Sequence, residues 1–201
     1  MSKVLVIKAN PKKIEESRTL TLGEVFLEEY KKNNPNDEII VLDLYKENIK
    51  PLDAEMIEAI FGGKENDAKK YAELFASCDK YIFEAPMWNL SIPAILKSYI
   101  DYISYVGIAF KYTAKGAVGL LADQGKKAIH ITARGGLYSE GPGAEFEMGD
   151  RYLRTILQFF GLKNEDIETL PLELTNVLQG KELEEQIERA NIKAKEIAKN
   201  F

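Results

Sequence analysis

Five short apolar runs alternate along the chain with stretches whose apolar residues recur at helical spacing. Lys3 to Lys8 reads Lys-Val-Leu-Val-Ile-Lys, a β-branched run with no polar residue inside it, which is the pattern of a strand covered on both faces. Ile39 to Asp43, Lys80 to Ala85 and Lys127 to Thr132 read as further strands of this buried kind, the last with His130 inside it, and Ile167-Glu-Thr-Leu170 as a short fifth. Between them the periodicity predicts helices over Thr19 to Lys32, 53 to 60, 66 to 77, Pro93 to Tyr105 and Asp150 to Phe160. Turn formers punctuate the order: Asn33-Asn-Pro-Asn36 precedes the second strand, and Gly62-Gly63 divides the second and third helices. A charged amphipathic helix closes the sequence from Gly180 to Asn200, with Leu183, Ile187, Ala190 and Ala194 as its buried stripe. The segment from 107 to 125 contains glycines and aromatics and shows no element of its own.

Strands alternating with helices in this way imply an α/β fold: a five-stranded, doubly wound parallel sheet with helices on both faces. With 201 residues and 45% hydrophobic content, the chain fills one core and makes a single domain over 1–201. The balance of 27 Lys and Arg against 32 Asp and Glu leaves a formal net charge of −5, which argues against nucleic acid as a partner. No apolar stretch approaches the roughly 18 residues of a membrane span, and the first ten residues lack the apolar core of a signal peptide, so the expectation is a cytoplasmic protein. Cys78 is the only cysteine and His130 the only histidine, which excludes a disulfide framework and a Cys/His metal site within one chain. His130 sits mid-strand, and no second histidine or G-x-S-x-G motif offers a hydrolase triad; Cys78 stands in an acidic setting unsuited to a thiolate.

Doubly wound sheets bind ligands beyond the carboxyl ends of their strands, so the loops after the first, third and fourth strands carry the chemistry. The first of these loops, Asn10 to Thr19, offers helix-start N–H groups and the hydroxyls of Ser17 and Thr19 around Arg18, which suits a phosphate and equally an ordinary helix cap. The second, Pro86-Met-Trp-Asn-Leu-Ser-Ile-Pro93, places the only tryptophan, Trp88, on a loop stiffened by two prolines. A flat aromatic ligand needs an apolar wall with a few fixed polar groups, and Met87, Trp88, Leu90 and the Asn89 amide supply both. The third, from Ala133 to Gly143, carries four glycines in eleven positions; Gly135 and Gly136 follow the strand directly, where backbone can approach a ligand closely. There is no G-x-G-x-x-G after the first strand and no P-loop, which argues against tightly bound NAD or ATP.

Together these loops resemble the bacterial FMN-dependent NADH-azoreductase and quinone-reductase family. The resemblance runs nearly end to end, through Val4 to Ala9, Ser17-Arg-Thr19, Pro86-Met-Trp-Asn-Leu90, Ile92-Pro93, Leu96-Lys97, Phe110-Lys-Tyr-Thr113, Gly125-Lys-Lys127 and Arg134-Gly-Gly136. It implies a flavodoxin-like fold and a homodimer with one FMN per active site, each site built at the interface. It also implies that Ser17 to Thr19 hold the FMN phosphate, that Met87 to Leu90 run along the isoalloxazine with Asn10 and Pro86 also in the cofactor site, and that Ala133, Arg134, Gly135 and Gly136 touch its polar edge. Ala133 stands where the family often has serine, and Asn10 where it often has a small hydroxyl residue, changes expected to weaken FMN binding and not to abolish it. NADH is the implied donor, quinones and aromatic azo compounds the implied acceptors, and the chemistry resides in the cofactor, so no catalytic side chain and no metal are expected. Phe110, Tyr112, Phe159 and Phe160 are candidates to line the acceptor pocket. Tyr99, Tyr102 and Tyr105 offer more aromatic surface on one helix than a single buried stripe needs, which accords with a dimer. A flavodoxin-like electron carrier without its own acceptor, and a hydrolase or transferase on the same fold, are the alternatives.

Overall fold

The computed structural model describes all 201 residues, Met1 to Phe201. Its strands are β1 (Lys3–Lys8), β2 (Glu38–Asp43), β3 (Lys80–Glu84), β4 (Phe110–Thr113), β5 (Gly116–Gly119), β6 (Lys127–Ala133) and β7 (Ile167–Leu172). Five of them form one sheet in the order β2-β1-β3-β6-β7, with every pairing parallel. Crossovers are made by α1 (Arg18–Asn33), by α2 (Ala54–Phe61) with α3 (Asp67–Ser77), by α4 (Ala94–Ile103) and by α5 (Gly149–Phe160), and α6 (Gly180–Asn200) ends the chain. Strand alternation divides the apolar runs between two cores. Val4, Val6, Ile82, Ile129 and Ile131 face Leu22, Phe26 and Leu27 of α1 and Ala190, Ala194 and Ala198 of α6. Leu5, Ile7, Tyr81, Phe83 and Ala128 face α3, α4 and α5 on the other side. The alanine stripe lets α6 lie close against α1.

Helix starts are set by side chains that accept the first free N–H groups: Ser17 for α1, Asp53 for α2 and Asn66 for α3. Helix α5 ends at Gly161, whose φ of 115° suits a residue without a Cβ. The fold agrees with the sequence reading in strand number, direction and helix placement within the main sheet. It differs in the 107–125 segment, where β4 and β5 form an antiparallel hairpin. Only Phe110 of β4 is buried, so the hairpin lacks the apolar run that marks the sheet strands. Gly119 is required there by packing: a Cβ on it would lie 2.3 Å from the Phe160 carbonyl carbon.

The tyrosines of the α4 region also differ from expectation. Tyr99, Tyr102 and Tyr105 are all buried within the chain, where Lys50 N–H donates to the Tyr102 hydroxyl at 3.3 Å and Asn66 Nδ2 to that of Tyr105 at 3.3 Å. They therefore belong to the core and offer no aromatic surface to a second copy. No helix is long and apolar enough to cross a membrane.

Candidate functional site

A cleft of about 630 Å³ opens at the carboxyl end of the sheet, between the loops after β1, β3, β6 and β7. Its floor at β1 is organised by Asn10, whose Nδ2 donates to Ser17 Oγ at 2.8 Å while its Oδ1 accepts from Lys12 N–H at 3.1 Å. Ser17 Oγ also accepts from Leu20 N–H at 3.2 Å, and the Ser17 carbonyl accepts from Thr21 N–H at 2.9 Å. A helix start leaves its first four N–H groups without intrahelical partners, so those of Arg18 and Thr19 remain for a ligand. They sit at the positive end of the α1 dipole, which favours an anion. Lys12 and Arg18 line the same rim with Glu15 and Glu16, so the local charge is mixed and the backbone carries the anion selectivity. Arg18 Nη1 donates to the Thr175 carbonyl at 3.0 Å, tying this loop to the one after β7.

The wall after β3 is a tight turn. Trp88 N–H donates to Ser91 O at 2.9 Å and Ser91 N–H to Trp88 O at 3.0 Å, with Asn89 at φ 49° and Leu90 at φ 70°. Two successive left-handed residues make this the two-residue hairpin geometry that normally selects Asn-Gly, and Leu90 holds it at a cost of about 1 kcal/mol or more. Met148 N–H, donating to Leu90 O at 2.9 Å, fixes the turn to the start of α5. Pro86, Met87 and Trp88 line the cleft, and Trp88 is 38% exposed. Asn89 and Leu90 occupy the exposed tip, outside the lining.

After β6, Ala133 and Gly135 line the cleft. The side chain of Arg134 does not: it is buried between Glu173, at 3.3 Å from Nη1, and Glu147, at 3.5 Å from Nη2. Glu173 in turn accepts from Tyr138 N–H at 2.8 Å and from the Ser139 hydroxyl. Arg134 thus shapes the glycine loop from behind through an ion-pair cluster. Gly136 also lies outside the lining, where a Cβ would come 3.2 Å from the Tyr138 ring. Thr19 lines the cleft as well, and its Oγ1 accepts from Ala133 N–H at 3.1 Å, which locks α1 to β6.

The aromatic candidates separate. Phe110, Tyr112 and Phe159 form one cluster, with Phe110 to Phe159 centroids 4.8 Å apart and Phe110 to Tyr112 5.5 Å apart, on the hairpin side of the molecule and not in the cleft lining. Tyr112 is 71% exposed and Phe159 39%. Phe160 is fully buried, edge-on to Phe75 with centroids 6.1 Å apart, and so belongs to the core and not to the cleft lining. Helical periodicity explains the division: neighbours in α5 point about 100° apart, and only one of the pair can face the sheet.

Thr21, Leu22, Leu172, Thr175, Asn176, Ile187 and Asn191 complete the cleft, and sequence reasoning missed them. Ile187 was legible only as part of the buried stripe of α6; the last helix reaches the site because it packs beside α1. Cys78 is buried, and burial pushes its thiol up, away from a thiolate.

Residues 2–197 match the family model described as flavodoxin-like fold. The chain is 57% identical to an FMN-dependent NADH:quinone oxidoreductase of Clostridium perfringens and 55% identical to one of Clostridium beijerinckii, each over 206 aligned positions covering all of both proteins. Among solved structures it superposes on an azoreductase of Bacillus anthracis with a TM-score of 0.91 at 40% identity, covering both chains completely. An FMN-dependent NADH-azoreductase of the same organism, solved in complex with FMN, gives 0.89 at 29% identity, over all of this chain and 99% of that one. With its cleft at the switch point of a 2-1-3-6-7 sheet and full-length relatives at this identity, the chain belongs to the flavodoxin-like family of FMN-dependent NADH:quinone oxidoreductases and azoreductases.

Proposed function

We propose that the cleft binds FMN and that the protein oxidises NADH and reduces quinones and aromatic azo compounds at one shared flavin face. One observation carries the reading: the uncommitted N–H groups of Arg18 and Thr19 open onto the same cleft as the Trp88 turn and Gly135, so an anion site and a flat apolar wall belong to one cavity. When bound, FMN supplies two-electron transfer between a nicotinamide and an acceptor. The residues do the rest. Ser17 and the α1 start hold the phosphate; Asn10 fixes Ser17 by its amide hydrogen bond and leaves the Ser17 proton free to donate. Pro86, Met87 and Trp88 pack along the ring, and Ala133 and Gly135 admit its edge by lacking bulk. Asn89 and Leu90 at the turn tip and Gly136 and Arg134 behind the loop position these walls.

With the chemistry carried by the flavin, the transfer calls for no acid or base from a side chain. The cluster of Phe110, Tyr112 and Phe159 stands apart from this chain's own cleft, and Leu90, Phe146 and Met148 leave apolar surface beside the Trp88 turn. Both features fit a homodimer in which a second copy completes each acceptor pocket; the net charge of −5 goes with the further reading of a cytoplasmic enzyme without a nucleic acid or membrane partner. Because donor and acceptor use one face, turnover is ping-pong: NAD⁺ leaves before the acceptor enters. The test is an FMN titration followed by visible absorption, then steady-state kinetics with NADH and a quinone or azo dye. Parallel double-reciprocal lines are expected; intersecting lines would refute the shared face, and no spectral change on FMN addition would refute the cofactor assignment.

A further inference from the structure

The cleft opens where the β3–β6 ladder breaks, and two backbone groups lose their partners there. Regular parallel pairing would carry on past Glu84 with Ala133 N–H donating to the Ala85 carbonyl. Ala85 N–H and Met87 N–H do keep the ladder, donating to Ile131 O and Ala133 O at 3.1 Å each. Ala133 N–H has gone instead to Thr19 Oγ1, and Pro86 has no N–H to offer. The Ala85 carbonyl, in a fully buried residue, is taken by Nε2 of His130 at 3.1 Å. His130 Nδ1 lies 3.1 Å from Asp150 Oδ1.

Both partners of the ring are acceptors. A carbonyl can only accept. Burial raises the Asp150 carboxyl, but bonds from His130 and Thr169 and the nearby Arg154 guanidinium bring it down to about 2, so it too is an acceptor. The Ala85 carbonyl therefore calls for a proton on Nε2. The charged groups around it are those of α5, Asp150 and Arg154; Glu84 of β3 lies beneath Gly23 of α1 on the opposite face of the sheet.

We propose that His130, the only histidine, is a positioning residue for the cofactor wall: its Nε2–H holds the Ala85–Pro86 peptide at the point where β3 leaves the sheet, and so sets where Met87 and Trp88 begin. The functional part of the proposal rests on the FMN reading of the cleft; the positional part does not. Side chains of α1 and β6 replace one ladder bond between them, Thr19 taking the stranded donor and His130 the stranded acceptor.

The sequence provides two built-in reporters, one histidine and one tryptophan, with Trp88 on the affected turn. Ring ¹⁵N spectra of the FMN-free wild type should show Nε2 carrying a proton; an unprotonated Nε2 overturns the proposal without any variant. His130→Gln puts an amide nitrogen near Nε2, and His130→Asn puts one near Nδ1. Acrylamide quenching of Trp88 in FMN-free protein should rise in the Asn variant and stay near wild type in the Gln variant, with FMN binding weakened roughly tenfold in the first and little in the second. Equal quenching and equal FMN affinity in both variants, whether altered or not, would overturn it, since a residue that merely fills the core does not distinguish the two nitrogens. A wild type that fails to bind FMN would defeat the cofactor reading and leave the ring and quenching results to judge His130 alone.

Discussion

The Glu84 side chain is fully buried under α1, neither carboxyl oxygen has a hydrogen-bond partner, and the nearest cation is Lys8 Nζ at 3.7 Å. Burial, partly countered by Lys8, raises its carboxyl from 4.5 to about 7. A raised acid holds its proton in the folded state after the unfolded chain has lost it, so its contribution is fully present below 4.5 and is lost as pH rises through the folded value. At about 1.4 kcal/mol per pH unit, the loss between pH 4.5 and 7 comes to ~3 kcal/mol, with a plateau above. Glu84→Gln cannot ionise, and Lys8 keeps Glu24 at 2.8 Å, so the variant should lack this decline and exceed the wild type at about pH 8 by up to ~3 kcal/mol. The assay is urea unfolding of both proteins from about pH 4.5 to about pH 8. Parallel stability curves for the two would refute the reasoning, as they would mean that Glu84 ionises alike in the folded and unfolded chain.

Arg134→Met should leave the buried carboxylates of Glu147 and Glu173 without their cation and cost about 3–5 kcal/mol in denaturant unfolding; a variant as stable as the parent would mean the cluster is already relieved by water. Gly135→Val should weaken FMN binding with a smaller effect on stability, because a Cβ there meets the Asn176 amide at 2.6 Å and forces that cleft residue aside; an unchanged dissociation constant would show that Asn176 moves without consequence.

The sheet is legible in the sequence because its strands are buried on both faces, and a continuous apolar run as short as Val4 to Ile7, ending in turn formers, suits a covered strand better than a helix. The β4–β5 hairpin is not, since a ribbon with one buried residue at its root carries no apolar signal. Within the site, the loops after β1 and β3 are readable from chemistry that the fold alone does not require: a hydroxyl-rich helix start, and a lone tryptophan between prolines. Arg134 misleads because a charged residue next to paired glycines looks like a ligand contact, and only the tertiary placement of Glu147 and Glu173 shows where its charge is spent. Thr175, Asn176 and Asn191 carry no local pattern at all; they reach the cleft because β7 pairs with β6 and α6 packs on α1, contacts made across more than a hundred residues of chain from Ser17.

The packing of α6 on α1 also bears on how the protein comes into being on the ribosome. The inner face of α1, with Leu22, Phe26 and Leu27, is covered by Ala190, Ala194 and Ala198, and Ile187 and Asn191 of the same helix line the cleft. Along the chain α1 precedes its cover by well over a hundred residues, so during synthesis it emerges first. Until that cover follows, the nascent sheet shows a bare apolar flank, and the cavity that would grip a nucleotide lacks one wall. The complete cleft therefore forms only once α6 has been made and has packed on α1, and the interval before that is when chaperones have most to hold.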